Sequence, residues 1–273
     1  MKTIHYILQN STIDLFDAKM LLAHTLGVEI STLSIYDENI VTDAQYTTYQ
    51  NYINRRIKGE PVDLIMGWRG FYTGEFKITA DVLSPRPDTE CIIDGILDRV
   101  DKNSPLRILD LGTGSGCILI SLLMGLPNAT GIGVDISEKA LEIATFNAEY
   151  NGVGDRTDFI QSNWFENVQG TYDIIVSNPP YIPSAVIDTL QVEVKQYDPI
   201  LALDGGSDGL APYRIIANNA ETYLNENGII VIEFGYNQSQ DIQNIFEKDK
   251  KYKVYTPLND LAQILRGLYI SRF

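Results

Sequence analysis

Histidine and cysteine are nearly missing: the 273 residues contain two of each. His5 and His24 alone leave metal chemistry and Ser-His or Cys-His nucleophilic catalysis with almost no material. Cys91 and Cys117 fall within or beside helical segments and read as buried free thiols rather than a disulfide or a metal pair. No metal site is expected. No apolar run approaches the ~20 residues needed to span a bilayer, and Met1-Lys2-Thr3-Ile4-His5 has no signal-peptide pattern. A cytoplasmic protein without a membrane partner is expected. Positive charge is short as well: 21 Lys+Arg against 36 Asp+Glu give a net charge of −15, which repels DNA and RNA. A nucleic-acid substrate would need a local basic patch. The clearest clusters are Arg55-Arg56-Lys58 and Lys248-Lys250-Lys251-Lys253, and both read as solvated helix or turn surface. Direct nucleic-acid binding is therefore not expected. Internal repeats and low-complexity tracts are also absent.

What is present centres on Asn178-Pro179-Pro180-Tyr181, which follows the apolar run Tyr172-Asp173-Ile174-Ile175-Val176. That run reads as a buried parallel strand. The turn after it sets one side-chain amide, two prolines without N–H donors and one aromatic ring where open α/β sheets bind ligands. Such a site accepts hydrogen bonds and stacks. A Pro-Pro pair after a strand also serves as a rigid turn with no chemistry, so its upstream partner decides the reading.

Upstream, Leu106-Arg107-Ile108-Leu109-Asp110-Leu111 leads into Gly112-Thr113-Gly114-Ser115-Gly116 and then the helical Cys117-Ile118-Leu119-Ile120-Ser121-Leu122-Leu123. This order is strand, glycine loop, helix. The loop lacks both the G-x-G-x-x-G of dinucleotide folds and the Lys-Ser/Thr of a P-loop, so no phosphate cradle is expected. Glycines at this spacing still let the backbone approach a ligand closely, and Asp110 beside them attracts a cation. A second strand, Ala129 to Val134, ends in Asp135, nineteen positions beyond Gly116, where an acidic side chain accepts bonds from ribose hydroxyls. A helix N-cap is the plainer role for Asp135, but Ser137 suits that role before Glu138–Ala148. An adenosine-type ligand with an amino-acid end and a sulfonium cation, S-adenosylmethionine, meets all three demands.

A chain of this length buries one good core plus a small appendage, so two compact units are expected. The first sixty residues read as helical. Leu15, Ala18, Leu22 and Leu26 share one face and stop at Gly27; Ser31 is placed to cap a short helix; Thr42 starts a segment with Tyr46, Tyr49, Ile53 and Ile57 inward, ended by Gly59 and Pro61. That bundle is either a packing lid or a docking module. Trp68 to Val82 alternates as a β-hairpin, and a helix carries Ile92, Ile93, Ile96, Leu97 and Val100. Strands near 107–111, 130–135, 157–161, 172–177 and 228–234, with two more at Tyr252–Tyr255 and Leu268–Arg272, alternate with helices. The expected fold class is α/β, a seven-stranded doubly wound sheet.

These residues together resemble the release factor glutamine methyltransferases, or protein-(glutamine-N5) methyltransferases, over nearly the whole chain. The specific signals are Pro85-Arg86-Pro87-Asp88-Thr89-Glu90, Ile108 to Gly116, Ser162-Asn163-Trp164-Phe165, Ser177-Asn178-Pro179-Pro180-Tyr181-Ile182 and Pro199-Ile200-Leu201-Ala202-Leu203-Asp204-Gly205-Gly206. Asn-Pro-Pro-Tyr alone is shared with enzymes that methylate exocyclic amines of adenine; the Pro-Arg-Pro segment and the 203–210 loop narrow the resemblance to this family. It implies a helical docking domain at 1–66, a β-hairpin linker at 67–85 and a class I methyltransferase domain at 86–273. It also implies S-adenosyl-L-methionine as cofactor, held by Gly112, Thr113, Gly114, Ser115, Gly116, Asp135, Asn163, Trp164 and Asn178. Asn178, Pro179, Pro180 and Tyr181 would hold the substrate glutamine, with Asn178, Pro179 and Tyr181 catalytic and class 1 peptide chain release factors as partners. Two positions depart from the family pattern: Asn163 replaces a common acidic residue, with a carboxamide oxygen still able to accept from adenine, and Asp198 replaces a common Glu.

An amide nitrogen is a poor nucleophile because its lone pair is delocalised. Acceptance of its two N–H bonds by the Asn178 oxygen and the Pro179 carbonyl would orient it, with Tyr181 stacked on the amide plane, and positioning would supply much of the rate. Adenine methylation of nucleic acid and cofactor sensing without catalysis are the competing functions. The acidic balance weighs against the first and the intact Asn178-to-Tyr181 turn against the second.

Overall fold

The computed structural model describes residues 2–272, apart from the side chain of Thr256. Two compact units form. One is the chain up to Trp68 together with Gln191–Tyr197, and the other is Arg69–Leu190 with the chain from Asp198 onward.

The smaller unit is built from α1 (Ile4–Gln9), α2 (Leu15–Leu26), α3 (Asp43–Ile57) and α4 (Val62–Met66). Asp14 caps α2 by accepting from the Phe16 and Asp17 amides, and Gly27 ends it in the left-handed region at φ 67°. Thr42 and Gln45 form a reciprocal capping box on α3. Ile4, Ile7, Leu21, Leu22, Leu33, Tyr49, Ile53 and Ile65 pack as the core. Three expectations fail here. Leu15 and Ile57 are more than half exposed, because each is a terminal residue of its helix and the buried face of α2 runs through Ala18, Leu21 and Leu22 instead. Ser31 caps nothing, since it lies inside a single 3-10 turn, Ile30–Thr32, preceded by Glu29.

From Trp68, the last residue of the smaller unit's first segment, the chain forms β1 (Trp68–Phe71), which pairs with β2 (Gly74–Lys77) as a hairpin, and the larger unit continues with α5 (Glu90–Leu97). Then come β3 (Arg107–Leu111), α6 (Cys117–Gly125), β4 (Thr130–Asp135), α7 (Glu138–Tyr150), β5 (Thr157–Gln161), β6 (Tyr172–Ser177) and α8 (Ser184–Ile187). A short helix α9 (Val192–Tyr197) groups with the smaller unit, and the chain returns through α10 (Ala211–Tyr223), β7 (Leu224–Glu233), α11 (Ser239–Glu247), β8 (Tyr252–Asn259) and β9 (Leu265–Arg272). The seven-stranded sheet has the order β5-β4-β3-β6-β7-β9-β8. Its first five strands run parallel, with Leu109 level with Ile132 on one side and Ile175 on the other, and β9 is antiparallel to both neighbours. Central strands in a covered parallel sheet must be apolar on both faces, and β3 and β6 obey this with Ile108, Leu109, Leu111, Ile174, Ile175 and Val176 all buried. Strand order reverses between β3 and β6, so the carboxyl ends of these strands open the crevice where such sheets bind ligands.

The hairpin is tied to the sheet by one buried side chain. Asn147 of α7 accepts from the Lys77 amide at 2.7 Å and donates to the carbonyls of Lys77 at 3.2 Å and Ser115 at 2.9 Å. Hairpin and glycine loop therefore share one anchor. No described helix is long and apolar enough to cross a membrane.

Candidate active site

Beyond β3 the backbone turns sharply. Gly112 and Thr113 both donate to the Val134 carbonyl at 2.9 Å, and Gly112, Gly114 and Gly116 take φ of 71°, 55° and 79°. The first two glycines face open space, where a Cβ would meet nothing, whereas a Cβ on Gly116 would fall 2.8 Å from Ile120 Cδ1 and 3.2 Å from Ala144 Cβ. Gly116 thus serves close packing of α6 on α7, and Gly112 and Gly114 serve the open side.

Two carboxylates hold this loop. Asp110 is fully buried and accepts from the Thr113 hydroxyl at 2.7 Å through one oxygen, while its Oδ1 has no partner among the described residues. Burial pushes its carboxyl up to about 7, and nearby Asp135 adds to the rise against the Thr113 bond. Asp135 accepts from Gly114 N through Oδ2 and from Ser137 N through Oδ1, each at 2.9 Å. The N-cap of α7 is Ser137, whose hydroxyl accepts from Ala140 N. Asp135 carries its two bonds on separate oxygens, so each keeps a lone pair for a hydroxyl donor.

Beyond β6, Ser177 Oγ donates to Leu111 O at 2.6 Å and locks the two strand ends together. Asn178 follows, its Nδ2 donating to Thr89 Oγ1 at 3.3 Å. Segment 203–206 clamps the turn: Ile182 N donates to Leu203 O, Gly205 N to Ile182 O and Ser184 N to Gly206 O, all at 2.9 Å. Any Cβ on Gly205 would come within 2.8 Å of Pro180 O, so the clamp requires glycine there. Gln238 Nε2 donates to Tyr181 O at 3.0 Å.

Between these elements lies a cleft of about 620 Å³. Of the residues singled out in the sequence, Gly112, Thr113, Gly114, Ser115, Asp135, Asn163, Trp164, Asn178 and Pro180 line it; Gly116, Pro179 and Tyr181 do not. Pro179 is buried, and Tyr181 packs on the main core with its ring against Gly235, its phenol pushed up to about 12 by burial and then by Glu233. Trp164 adopts φ 56° and leans on the core from the cleft wall. Asn163 Nδ2 donates to Glu166 Oε1 at 2.9 Å; only nitrogen can donate to a carboxylate, so its Oδ1 remains an acceptor.

Some residues carry no role at the site in the sequence alone. Thr89, there only part of the Pro85-to-Glu90 signal, lines the cleft with Arg86, whose guanidinium bonds Asp198 Oδ2 at 2.8 Å. Glu233, at the end of β7, is buried with Oε2 unpartnered among the described residues. Only its charge at the end of the apolar run Ile229–Ile232 marked it in the sequence. The two cysteines are free and only partly buried rather than fully so. Among the described residues, no group of three or more His, Cys, Asp or Glu side chains is arranged to hold a metal ion.

Comparisons with known proteins agree with this architecture. Residues 6–67 match the PrmC N-terminal domain and residues 102–268 the methyltransferase domain family. A release factor glutamine methyltransferase from Agrobacterium fabrum is 45% identical over 236 residues, 85% of this chain and 82% of that one. One from Rhodospirillum rubrum is 44% identical over 231 residues, 85% and 71% of the two chains. A solved methyltransferase from Pyrococcus furiosus, 18% identical, superposes with a TM-score of 0.53 over 83% of this chain and 98% of that one, a likeness of fold alone. Identity at this level across most of both chains, with the two domains matched in order, makes this chain a methyltransferase of the release factor glutamine methyltransferase family.

Proposed function

We propose that the protein methylates the side-chain nitrogen, N5, of the glutamine in the Gly-Gly-Gln motif of class 1 peptide chain release factors, with S-adenosyl-L-methionine as methyl donor. The observation that carries this reading is the Asn178 amide at the cleft wall, its nitrogen drawn away by Thr89 so that its oxygen is the group left to meet a substrate.

The donor set fits the cofactor. Gly112 and Gly114 leave room at the loop, Asp135 keeps acceptor capacity for ribose hydroxyls, and Asn163 Oδ1 and Trp164 offer an acceptor and an aromatic face to a purine. The Asp135 carboxylate, which lines the cleft, favours a positively charged ligand. When bound, S-adenosyl-L-methionine supplies an electrophilic methyl group on a sulfonium.

The chain's own part is orientation. Asn178 Oδ1, at the cleft lining, accepts one N–H bond of the glutamine amide, which orients it and returns electron density to its nitrogen; the Pro179 carbonyl would take the second N–H, although Pro179 itself is buried and outside that lining. Formation of the new N–C bond would break the methyl's bond to the sulfonium sulfur, which keeps the electron pair, and one of the two N–H protons would pass to solvent. Alignment of this kind avoids up to ~7–11 kcal/mol of entropic barrier. Tyr181 supports the turn from the core side, consistent with its packing on Gly235.

Charge weighs against a nucleic-acid substrate. Arg56 is held by Asp17 and Glu193 at 2.6 Å each, and Arg55 by Glu60, so two of the three cations of the main basic cluster are paired with carboxylates inside the smaller unit, while Lys58 is exposed. Incubation with labelled S-adenosyl-L-methionine and an equimolar mixture of intact release factor, duplex DNA and RNA tests the assignment. Label on the release factor supports it. Label confined to nucleic acid replaces it with adenine methylation, and binding without transfer leaves a sensor.

A further inference from the structure

A carboxamide whose two ends bond different kinds of group has only one orientation, and it can tie together backbone segments that no ladder joins. Gln238, just before α11, makes such a tie at the far end of the Asn178-to-Tyr181 turn. We propose that Gln238 is a positioning residue for methyl transfer: by holding Tyr181, Gly209 and Gly235 through one carboxamide, it fixes the turn that presents the Asn178 amide. The proposal rests on Asn178 acting as the acceptor for the methylated amide.

Three hydrogen bonds make the tie. Gly235 N donates to Gln238 Oε1 at 3.0 Å, and Gln238 Nε2 donates to Tyr181 O at 3.0 Å and to Gly209 O at 3.3 Å. An amide N–H only donates and a carbonyl only accepts, so the carboxamide cannot turn over without breaking all three bonds. Tyr181 and Gly209 lie 57 and 29 positions from Gln238 in the chain, one in the turn after β6 and the other in the loop before α10. Glycines make the space. Gly209 takes φ 75°, and a Cβ there would overlap the Tyr181 carbonyl and fall 2.9 Å from Gln238 Nε2. A Cβ on Gly235 would fall 3.0 Å from Gln238 Oε1 and from Tyr181 Cδ2. Two residues without side chains thus flank the carboxamide and let the backbones close on it.

The turn needs support from outside because it has little of its own. Pro179 and Pro180 carry no N–H, which removes both donors in the middle of Asn178-to-Tyr181. Its shape is then set by what holds its ends. Ser177 Oγ fixes the first end by donating to Leu111 O at 2.6 Å, and Gln238 fixes the second at Tyr181 O. The 203–206 clamp acts further along, on Ile182 and Ser184, and Gln238 reaches the same loop at Gly209. Between the two anchors stand the Asn178 amide and the Pro179 carbonyl. Loss of the second anchor lets the Asn178 oxygen drift while the glycine loop and Asp135 keep their own bonds to Val134 and Ser137. A misplacement of about 1 Å at a reacting group costs up to about a hundredfold in rate.

The test uses the full chain and two variants. Gln238→Glu keeps the stem and an acceptor for Gly235 but sets a carboxylate against two carbonyls; Gln238→Met keeps the length and removes all three bonds. For each folded variant, kcat for release factor methylation should fall roughly ten- to a hundredfold, while the release factor KM and the S-adenosyl-L-methionine dissociation constant stay within about twofold. Gln238→Glu should be no faster than Gln238→Met. Amide exchange in 181–184, followed by mass spectrometry, should quicken roughly tenfold in both variants and stay unchanged in 112–116. If one variant does not fold, the other decides. A folded variant with the wild-type kcat, or a loss that appears in KM or in cofactor affinity with kcat unchanged, overturns the proposal. A wild type that leaves release factor unmethylated refutes the functional reading instead; exchange in 181–184 then judges the anchor alone, supporting it if faster in the variants and overturning it if unchanged.

Discussion

Arg86 and Asp198 meet at 2.8 Å, with the carboxylate almost wholly buried and the guanidinium about half exposed. The pair joins the Pro85–Thr89 wall of the cleft to the start of segment 198–206, which in turn clamps Ile182 and Ser184. Arg86→Ala should loosen that wall. A charged hydrogen bond at such a site, discounted for solvent screening, is worth about 1 kcal/mol, so amide exchange across 198–206 should quicken roughly fivefold to tenfold by mass spectrometry, with no change in the glycine loop.

Asp135 does two things at once, since it carries Gly114 N and Ser137 N besides facing the cleft. Asp135→Ala should weaken S-adenosyl-L-methionine binding by roughly ten- to hundredfold in a calorimetric titration. It should also lower the melting temperature of the free protein, because two backbone donors lose their acceptor. Unchanged affinity would refute the ribose role and leave Asp135 as a loop anchor.

Much of this was legible in the sequence because it was local. Five parallel strands follow from short apolar runs, and the two site turns from residues that few other contexts require: three glycines at alternate positions and an Asn-Pro-Pro-Tyr. What stayed hidden depends on partners far away in the chain. Thr89 acquires meaning only beside Asn178, Gln238 only beside Tyr181 and Gly209, and Val192–Tyr197 groups with the smaller unit in which Arg56 bonds Glu193 across 137 positions. Leu15 and Ile57 show the complementary error: a helical period identifies a face but not where along the helix that face stops being covered.

Asn147 is a case of a buried polar side chain that tertiary structure alone explains. Its three bonds to Lys77 and Ser115 leave two carbonyls and one amide to be satisfied by a single carboxamide. Asn147→Leu should cost about 1–3 kcal/mol of stability or more, read as a shift in the urea midpoint at constant slope.

The buried Asp110 gives stability a pH dependence of definite sign. Its carboxyl titrates near 7 in the fold, against 3.8 ordinarily, because burial disfavours the charged form. Between those values the folded chain holds a proton the unfolded chain has lost, so this group's contribution to stability falls as pH rises from about 4 to about 7. Glu233, also raised to about 7, acts in the same direction. Asp110→Asn should flatten that decline, as measured by melting temperature from pH 5 to pH 8; a wild-type curve matched by the variant at every pH would show that Asp110 is ionised throughout.

Methyl placement is the most direct test of the central claim. Intact class 1 release factor is incubated with the purified protein and S-adenosyl-L-methionine, and the Gly-Gly-Gln peptide is then fragmented by tandem mass spectrometry. The account expects a single added methyl on the glutamine side-chain nitrogen with the wild type, and a rate roughly a hundred- to a thousandfold lower with a folded, cofactor-binding Asn178→Ala. A methyl on any other residue, or an Asn178→Ala protein that transfers it at the wild-type rate, contradicts the account.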